Sequence, residues 1–285
     1  KGKRRWKKSD LGLLSVMVLE VAQTAHGAFT KETSEESLRN SNKEFTGDYN
    51  AMKERRLIRV LVPYNRAFFF FDGAQPRGIS YEMGVLFEKF INKREKNKTL
   101  KIKVIYIPTP RAKLLERVAA GLGDIAMGNL TITDERRKLV DFSVPFAKDV
   151  SEIVVTGKNV KTIGRPYDVA GMEIHVRKSS SYYENLSMLN EVLKTSDKKP
   201  VKIVEADEHL EDSDLMEMVG AGLIPAVVVD SHKANLWKEV LPGVKLHPEA
   251  KIHSGGKIGW AVRKNSPELQ AVIAEFAKTH KQGTL

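Results

Sequence analysis

Short apolar runs and amphipathic segments alternate along this chain from about residue 56 onward. The run at residues 57–62 consists largely of Leu, Ile and Val, and the segment at 81–93 carries Met83, Phe87 and Ile91 at helical spacing. Further apolar runs predict strands at 102–107, 125–127, 151–156, 173–176, 201–204, 226–229 and 257–262. Helical spacing predicts further helices at 111–120, 182–193, 212–219 and 231–237. The repeated alternation predicts an α/β fold with parallel strands and right-handed crossovers.

The predicted elements fall into two sets, which indicates two lobes. We interpret the strands at 151–156 and 257–262 as extended crossings, acting as a hinge, that carry the chain into the second lobe and back. Lobe 1 then comprises residues 56–150 plus 255–285, and lobe 2 with the crossings comprises 151–254. This interpretation predicts two lobes joined by two strands, without one continuous sheet through all of them. A final helix, with Ser266 as N-cap, should pack on lobe 1.

The N-terminal segment has the pattern of an export signal. Six of the first eight residues are Lys or Arg, and they precede a modest apolar stretch at 11–22 and then Ala25-His26-Gly27. This arrangement predicts a signal peptide at 1–27, followed by a polar leader at 28–55. Glu20 interrupts the apolar stretch, so a basic tail is the alternative. The stretch is too short for a membrane span, and we expect membrane association only through this segment if it is uncleaved.

Charge and residue types narrow the chemistry. The chain carries a net charge of +11, but six of its positive charges lie in the first eight residues, so we predict no nucleic-acid partner. It contains no cysteine, which excludes disulfides and thiolate zinc sites. The seven histidines show no spacing typical of a metal site. No metal and no cofactor are therefore predicted.

Three motifs occur in order near the middle of the chain. They are GLGDIA at 121–126, NLTITDER at 129–136 and DFSVPF at 141–146. Together they resemble the signature of the family 3 bacterial extracellular solute-binding proteins, and the resemblance extends from about residue 56 to 280. It implies the two-lobed type II periplasmic-binding-protein fold and an exported protein of the periplasm or cell envelope. It also implies a small ligand, such as an amino acid, that is captured by closure of the lobes.

A narrower resemblance involves MKERRLIRVLV at 52–62, RGISYE at 77–82 and SSSYYE at 179–184. These segments are similar to the N-terminal domain of membrane-bound lytic transglycosylase F-like proteins, in which a lysozyme-like domain that cleaves peptidoglycan follows. The sequence stops at Leu285 without such a domain, so we expect either a fragment of such a protein or a stand-alone binder. In this context the ligand would be a peptidoglycan peptide.

Arg136 and Asp230 are the candidate charged residues of the site. A free amino acid offers a carboxylate and an ammonium, which need a bidentate cation and a carboxylate. By the resemblance, Arg136 occupies the position that binds the ligand carboxylate, with Asn129 and Thr131 beside it. Tyr64 matches the aromatic residue over the apolar part of the ligand. Asp230 follows a lobe 2 strand and would bind the ammonium; its alternative role is a helix N-cap.

Ser180 and Ser181 stand just before the predicted helix at 182–193. We expect them to donate amide and hydroxyl hydrogen bonds to the ligand carboxylate at the helix N-terminus. Turn residues without a ligand are the alternative. The acidic residues between 205 and 214, among them Glu211 and Asp212, are interpreted as a solvated loop and helix start.

The pattern therefore predicts a ligand-binding module with no catalytic residue. As a sensor domain it would act on a fused or partner lysozyme-like domain, whereas as an amino-acid receptor of an ABC transporter it would dock on a membrane permease. A dehydratase on the same fold would need a general acid, and Glu82 and Glu152 are the candidates. A structural or adhesive domain would instead have its cleft filled by side chains.

Overall fold

Residues 43–96 and 99–280 are the part of the chain that the computed structural model describes. The predicted signal peptide at 1–27 and most of the predicted leader lie outside the described residues. Within the described part, no helix is long and apolar enough to cross a membrane.

Strands and helices alternate through these residues. The strands are β1 (Leu57–Val62), β2 (Phe70–Asp72), β3 (Gln75–Arg77), β4 (Lys103–Pro108), β5 (Ile125–Thr131), β6 (Asp141–Phe142), β7 (Ala147–Gly157), β8 (Glu173–Arg177), β9 (Lys202–Ala206), β10 (Ala226–Asp230) and β11 (Val244–Val262). The α helices are α1 (Tyr49–Glu54), α2 (Ile79–Arg94), α3 (Leu114–Ala119), α4 (Asp134–Leu139), α5 (Ser181–Thr195), α6 (Asp212–Gly220), α7 (Ser231–Lys238) and α8 (Pro267–Thr279). Every predicted strand and helix is present, and the additions include the short β2–β3 hairpin, β6 and α1.

Folded structure begins earlier in the chain than predicted. Helix α1 lies within the predicted polar leader and buries Tyr49, so the prediction of a leader extending to residue 55 is wrong at its end. The Asp48 carboxylate accepts hydrogen bonds from the backbone N–H of Tyr49 at 2.7 Å and from those of Glu268 and Leu269 at 2.8 and 3.0 Å. Ser266 occupies the N-cap position of α8 but makes no side-chain cap bond. One carboxylate from the leader thus caps two helices.

Nine of the described strands form one hydrogen-bonded sheet. Its order is β4-β1-β5-β11-β7-β10-β8-β9, and β6 pairs with β11. As predicted, pairing is parallel between β4, β1 and β5 on one side and between β10, β8 and β9 on the other. The prediction that no single sheet would run through all strands is wrong. The reason is that β7 and β11 pair antiparallel from Ala147 and Ile258 to Gly157 and Val244, which carries the hydrogen bonding across.

The apolar cores nevertheless divide at these two shared strands. Lobe 1 contains β1, β4, β5 and β6 with α1–α4 and α8, and lobe 2 contains β8–β10 with α5–α7. In lobe 1 the rings of Phe87, Trp260 and Phe276 pack with centroids 5.3–5.7 Å apart, so α8 packs on lobe 1 as predicted. In lobe 2, separate clusters surround Leu186 and Leu215 on the two faces of the sheet. The residue limits of the lobes stay a prediction.

The backbone is irregular where β7 and β11 cross between the lobes. Four register shifts interrupt their pairing between His247 and Ile258. Nearby, Asp149 and Gly255 adopt φ angles of 57° and 74°, in the left-handed region that favours glycine. Hinges are a few residues that absorb large changes in φ and ψ, and these two residues lie at or beside the crossings predicted to act as a hinge.

Candidate functional site

The carboxyl ends of strands from both lobes meet at a cavity of about 340 Å³. Open α/β sheets place their ligand sites at this end of the strands. The polar residues that line this cavity include Arg111, Asn129, Thr131, Arg136, Arg177, Ser180, Ser181, Tyr182 and Lys233. Five of the seven residues predicted for the site thus share one cavity, whereas Tyr64 and Asp230 are not part of its lining. A structural or adhesive domain was expected to have its cleft filled by side chains, whereas this cleft retains a cavity.

Arg136 reaches across the cleft from helix α4. Its Nη1 donates to the carbonyl of Thr131 and its Nη2 to the carbonyl of Ser179, both at 2.9 Å. The nearest carboxylate, that of Glu184, lies 3.6 Å from Nε. Burial lowers the pKa of Arg136, which Glu184 partly opposes. Among the described residues no carboxylate therefore holds this guanidinium in a two-pronged ion pair, and part of its donor set remains for a ligand.

The hydroxyls of Ser180 and Ser181 are engaged within the protein. Ser180 is the N-cap of α5, and its Oγ accepts from the N–H of Tyr183 at 3.2 Å and donates to the carbonyl of Arg177 at 2.6 Å. Ser181 donates its hydroxyl to Glu152 at 2.7 Å. Both hydroxyls thus donate within the protein in this structure, and hydrogen bonds from these serines to a ligand stay a prediction. The first residues of α5, Ser181 and Tyr182, line the cavity together with Arg136, and the first N–H groups of a helix have no acceptor within it.

Asp230 stands one layer behind the cavity wall. It occupies the N-cap position of α7, the alternative role expected from the sequence, but its side chain makes no cap bond. Instead Oδ2 lies 2.9 Å from Nζ of Lys233 and accepts from Nδ2 of Asn129 at 3.1 Å. Oδ1 is buried, and no hydrogen-bond partner reaches it in the described part of the chain. Asn129 also contacts His232 at 3.1 Å, so this lobe 1 amide bridges to two residues of lobe 2.

Tyr64 is placed away from the cavity. Its side chain follows Pro63 at the end of β1 and is 60% exposed. The predicted role over an apolar part of a ligand is therefore not what this geometry shows. The buried ring of Phe68 comes closer to the polar residues of the site, since Nζ of Lys233 lies 6.0 Å from its centroid.

A buried ion pair between the lobes was missed by the sequence analysis. Arg111 binds Glu211 with two nitrogens, Nε at 2.8 Å and Nη2 at 2.7 Å, and donates Nη1 to the carbonyl of Gly128 at 2.6 Å. Asn65 donates to the same carboxylate at 3.0 Å. Burial opposes the charge of Arg111, but Glu211 raises its pKa overall. Arg111 could have been predicted as a site residue, because it follows a predicted parallel strand and ligand sites lie at the carboxyl ends of such strands.

A second buried network lies beneath the lobe 2 wall, around Asp212. Its carboxylate binds Arg177 at 2.7 Å, Lys233 at 2.7 Å and the hydroxyl of Tyr182 at 3.0 Å. Burial disfavours ionisation, yet Lys233 and Arg177 hold the pKa of Asp212 far below its ordinary value. The interpretation of residues 205–214 as a solvated acidic loop is therefore wrong at Glu211 and Asp212, because both are buried against cations.

Glu152 is a buried carboxyl on the shared strand β7. It is 1% exposed and accepts from the hydroxyl of Ser181 at 2.7 Å and from Nδ2 of Asn185 at 2.8 Å. Burial raises the pKa of Glu152 to about 7, although these two hydrogen bonds act in the opposite direction. The carboxyl group therefore changes its protonation near neutral pH.

Replacing Glu152 by glutamine is expected to flatten the dependence of stability on pH. A carboxyl with a raised pKa binds its proton more tightly in the folded state, so stability falls as the pH rises from the ordinary value of 4.5 to about 7. The loss attributable to Glu152 is on the order of 3 kcal/mol, at about 1.4 kcal/mol per pKa unit. Urea unfolding of both proteins between pH 5 and 8 measures it. Parallel pH profiles for wild type and Glu152→Gln would contradict the assignment.

The match to a family model decides the class of protein. The model of the bacterial extracellular solute-binding proteins, family 3, matches residues 58–285. The chain belongs to this family. In this solute-binding domain, the residues that meet at the cavity come from strand ends and from the loops and helices that follow them. No group of three or more metal-binding side chains occurs among the described residues.

Two kinds of curated protein resemble this solute-binding domain. The membrane-bound lytic murein transglycosylase F of Desulfosudis oleivorans is 24% identical over 225 residues, which are 79% of this chain and 46% of that protein. The L-cystine-binding protein TcyJ of Escherichia coli K12 is 25% identical over 281 residues, which are 98% of this chain and 94% of that protein. The chain thus spans less than half of the first relative and nearly all of the second.

Solved structures agree with the type II periplasmic-binding-protein fold. An ancestral arginine-binding protein bound to arginine is 25% identical, with a TM-score of 0.65, and the match covers 81% of this chain and 95% of that one. An ancestral amino acid-binding protein, a precursor of cyclohexadienyl dehydratase, is 24% identical with a TM-score of 0.65, covering 82% and 94% of the two chains. The second likeness concerns the fold alone.

Proposed function

We propose that this domain captures a small ligand with a carboxylate, an amino acid or a peptidoglycan peptide, by closing its two lobes about β7 and β11. The observation that carries the proposal is the partly unengaged guanidinium of Arg136, which lines the cavity beside the N-terminus of α5. Arginine is suited to binding a carboxylate with two parallel hydrogen bonds. The helix N-terminus adds N–H groups and a favourable dipole for the same anion.

Closure is supported by contacts that already join the lobes around the cavity. Arg111 and Asn65 bind Glu211, Asn129 binds Asp230, and Arg136 binds the carbonyl of Ser179. A ligand held between Arg136 and α5 adds to this set of contacts only when the lobes are together. Binding therefore favours the closed arrangement.

The proposed context is the sensor domain of an exported transglycosylase F-like protein in the periplasm or cell envelope. The curated relatives of that kind support it, with a lysozyme-like domain as fused or separate partner. An amino-acid receptor of an ABC transporter, docking on a membrane permease, is the second candidate. The nearly full-length match to an L-cystine-binding protein favours this second context.

We propose no catalytic step in this chain. A dehydratase would need a general acid at the cavity. Glu152 is held behind the wall by Ser181 and Asn185, and Glu82 lies on the exposed surface of α2. Neither carboxyl lines the cavity.

A thermal-shift panel tests the binding proposal. It contains the twenty L-amino acids, L-cystine, their Nα-acetyl derivatives and soluble peptidoglycan peptides. A ligand present at 100 times its Kd is expected to stabilise the folded state by about 2.7 kcal/mol, seen as a higher melting temperature and confirmed by calorimetric titration. A panel in which no compound shifts the melting temperature and none gives heat of binding would overturn the proposal.

A further inference from the structure

The charged side chains that line the cavity are mostly cations. Arg111, Arg136, Arg177 and Lys233 all belong to the lining, and the one carboxylate residue in it is Glu116, whose side chain is 64% exposed. A free amino acid brings an ammonium as well as a carboxylate. An ammonium has only donors and needs a carboxylate or several other acceptors. The described lining is therefore suited to binding an anion and poorly suited to binding an ammonium.

Asp230, the buried carboxylate predicted to bind a ligand ammonium, already pairs with the ammonium of Lys233. Nζ of Lys233 lies 2.9 Å from Asp230, 2.7 Å from Asp212 and 3.2 Å from the hydroxyl of Tyr182. The side chains of Lys233 and Asp230 are 7% and 1% exposed, so water screens this pair weakly. Arg177 supplies a second cation to Asp212. Two carboxylates are thus balanced by two cations, and a ligand ammonium beside Asp230 would meet the like charge of Lys233.

In the described part of the chain, Asp230 has one oxygen without a donor, although the residue itself does not line the cavity. Oδ1 is buried, and within the described residues it has no hydrogen-bond partner. A buried acceptor without a donor is costly, so an incoming N–H stabilises it. A ligand with a neutral amide in place of its ammonium adds no second positive charge next to Lys233, which does line the cavity.

Resting on the proposed function, we infer that Lys233 makes this cleft select carboxylate ligands whose nitrogen is acylated. N-acyl amino acids and N-acylated peptides fit the description, with the carboxylate at Arg136 and a neutral amide in place of the ammonium that Lys233 would repel. Free amino acids are the poorer ligands. Lys233 is then a residue that determines specificity by taking the place of a ligand ammonium.

The test compares matched pairs of ligands by calorimetric titration. The pairs are L-alanine and N-acetyl-L-alanine, L-arginine and Nα-acetyl-L-arginine, and L-cystine and N,N′-diacetyl-L-cystine. In each pair for which the wild-type protein shows binding, the acetylated member is expected to have a Kd at least tenfold lower than that of the free member. In Lys233→Met, which leaves Asp230 without its internal ammonium, the free member is expected to bind at least as tightly as the acetylated one. Lys238→Met, on the exposed side of the same helix, is the matched control and should keep the wild-type ratio.

The possible results separate this inference from the function it rests on. Wild-type binding of free amino acids equal to or tighter than that of their acetylated forms would overturn the inference and leave ligand capture standing. An unchanged ratio in Lys233→Met would remove the assigned role of Lys233. Absence of binding by every compound of the wider panel would overturn both. The wild-type comparison needs no variant. It can therefore overturn the inference even if the Lys233→Met protein fails to fold, as judged by circular dichroism.

Discussion

Replacing Asp212 by asparagine is expected to lower the free energy of unfolding by about 3–5 kcal/mol, since buried Arg177 loses its carboxylate and buried Lys233 loses one of its two. Arg177 and Lys233 both lie 2.7 Å from Asp212, and all three side chains are at most 7% exposed. The pKa of Asp212 is held below its ordinary value of 3.8, so its contribution is fully present at neutral pH and is lost as the pH falls below about 4. Urea unfolding at pH 7 and in acid measures both effects.

The matched control for Asp212→Asn is Asp207→Asn in the same acidic segment. The Asp207 side chain is 66% exposed, and its replacement is expected to change stability by no more than about 0.5 kcal/mol. Equal losses in the two variants would show that the network around Asp212 adds no special stability.

Replacing Arg136 by alanine is expected to abolish measurable ligand binding while leaving the fold intact. Loss of a buried charged hydrogen-bonding partner costs about 2–5 kcal/mol in binding, which is about a 30- to 5,000-fold higher Kd. The variant keeps its apolar cores, because Arg136 contacts backbone carbonyls and one distant carboxylate. Calorimetric titration with the best ligand of the panel, together with the unfolding curve without ligand, separates the two effects.

Arg137→Ala provides the control, because this neighbouring arginine lies on the exposed side of α4. It should bind like wild type. Should Arg136→Ala retain wild-type affinity, the carboxylate must bind elsewhere in the cavity, and Arg136 would be a residue that joins the lobes.

The local elements could be predicted because their signals are local. The runs at 57–62 and 226–229 match β1 and β10 to within one residue, since a buried parallel strand is apolar throughout. Strand β11 was predicted only from 257, although it begins at Val244. Its first part contains His, Pro and Lys residues with weak strand propensity. Pairing with β7 decides that this segment is extended, and a single sequence does not display its partner.

The charge pairs of the site could not be predicted for a related reason. Arg111 and Glu211 are 100 residues apart in the chain, and nothing in either local segment indicates the other. The pair of Asp230 and Lys233, in contrast, is one helical turn apart and was available from spacing. The family resemblance correctly predicted that Arg136 and Asn129 line the cavity. It also implied that Asp230 binds a ligand ammonium, but it did not take into account Lys233, whose own ammonium pairs with Asp230.

The position of β11 has a consequence for the order in which this protein can assemble. Strand β11 is made after every other strand that the structure describes, yet it fills the middle of the sheet, between β5 and β7. Until residue 262 has been synthesised, β5 and β7 each keep a row of unpaired backbone groups, which are prone to join strands of other chains. Helix α8 and its cap at Asp48 also join residues about 220 positions apart. Neither lobe can complete its sheet before β11 is made, so nascent chains of this protein depend on protection from aggregation until that strand emerges.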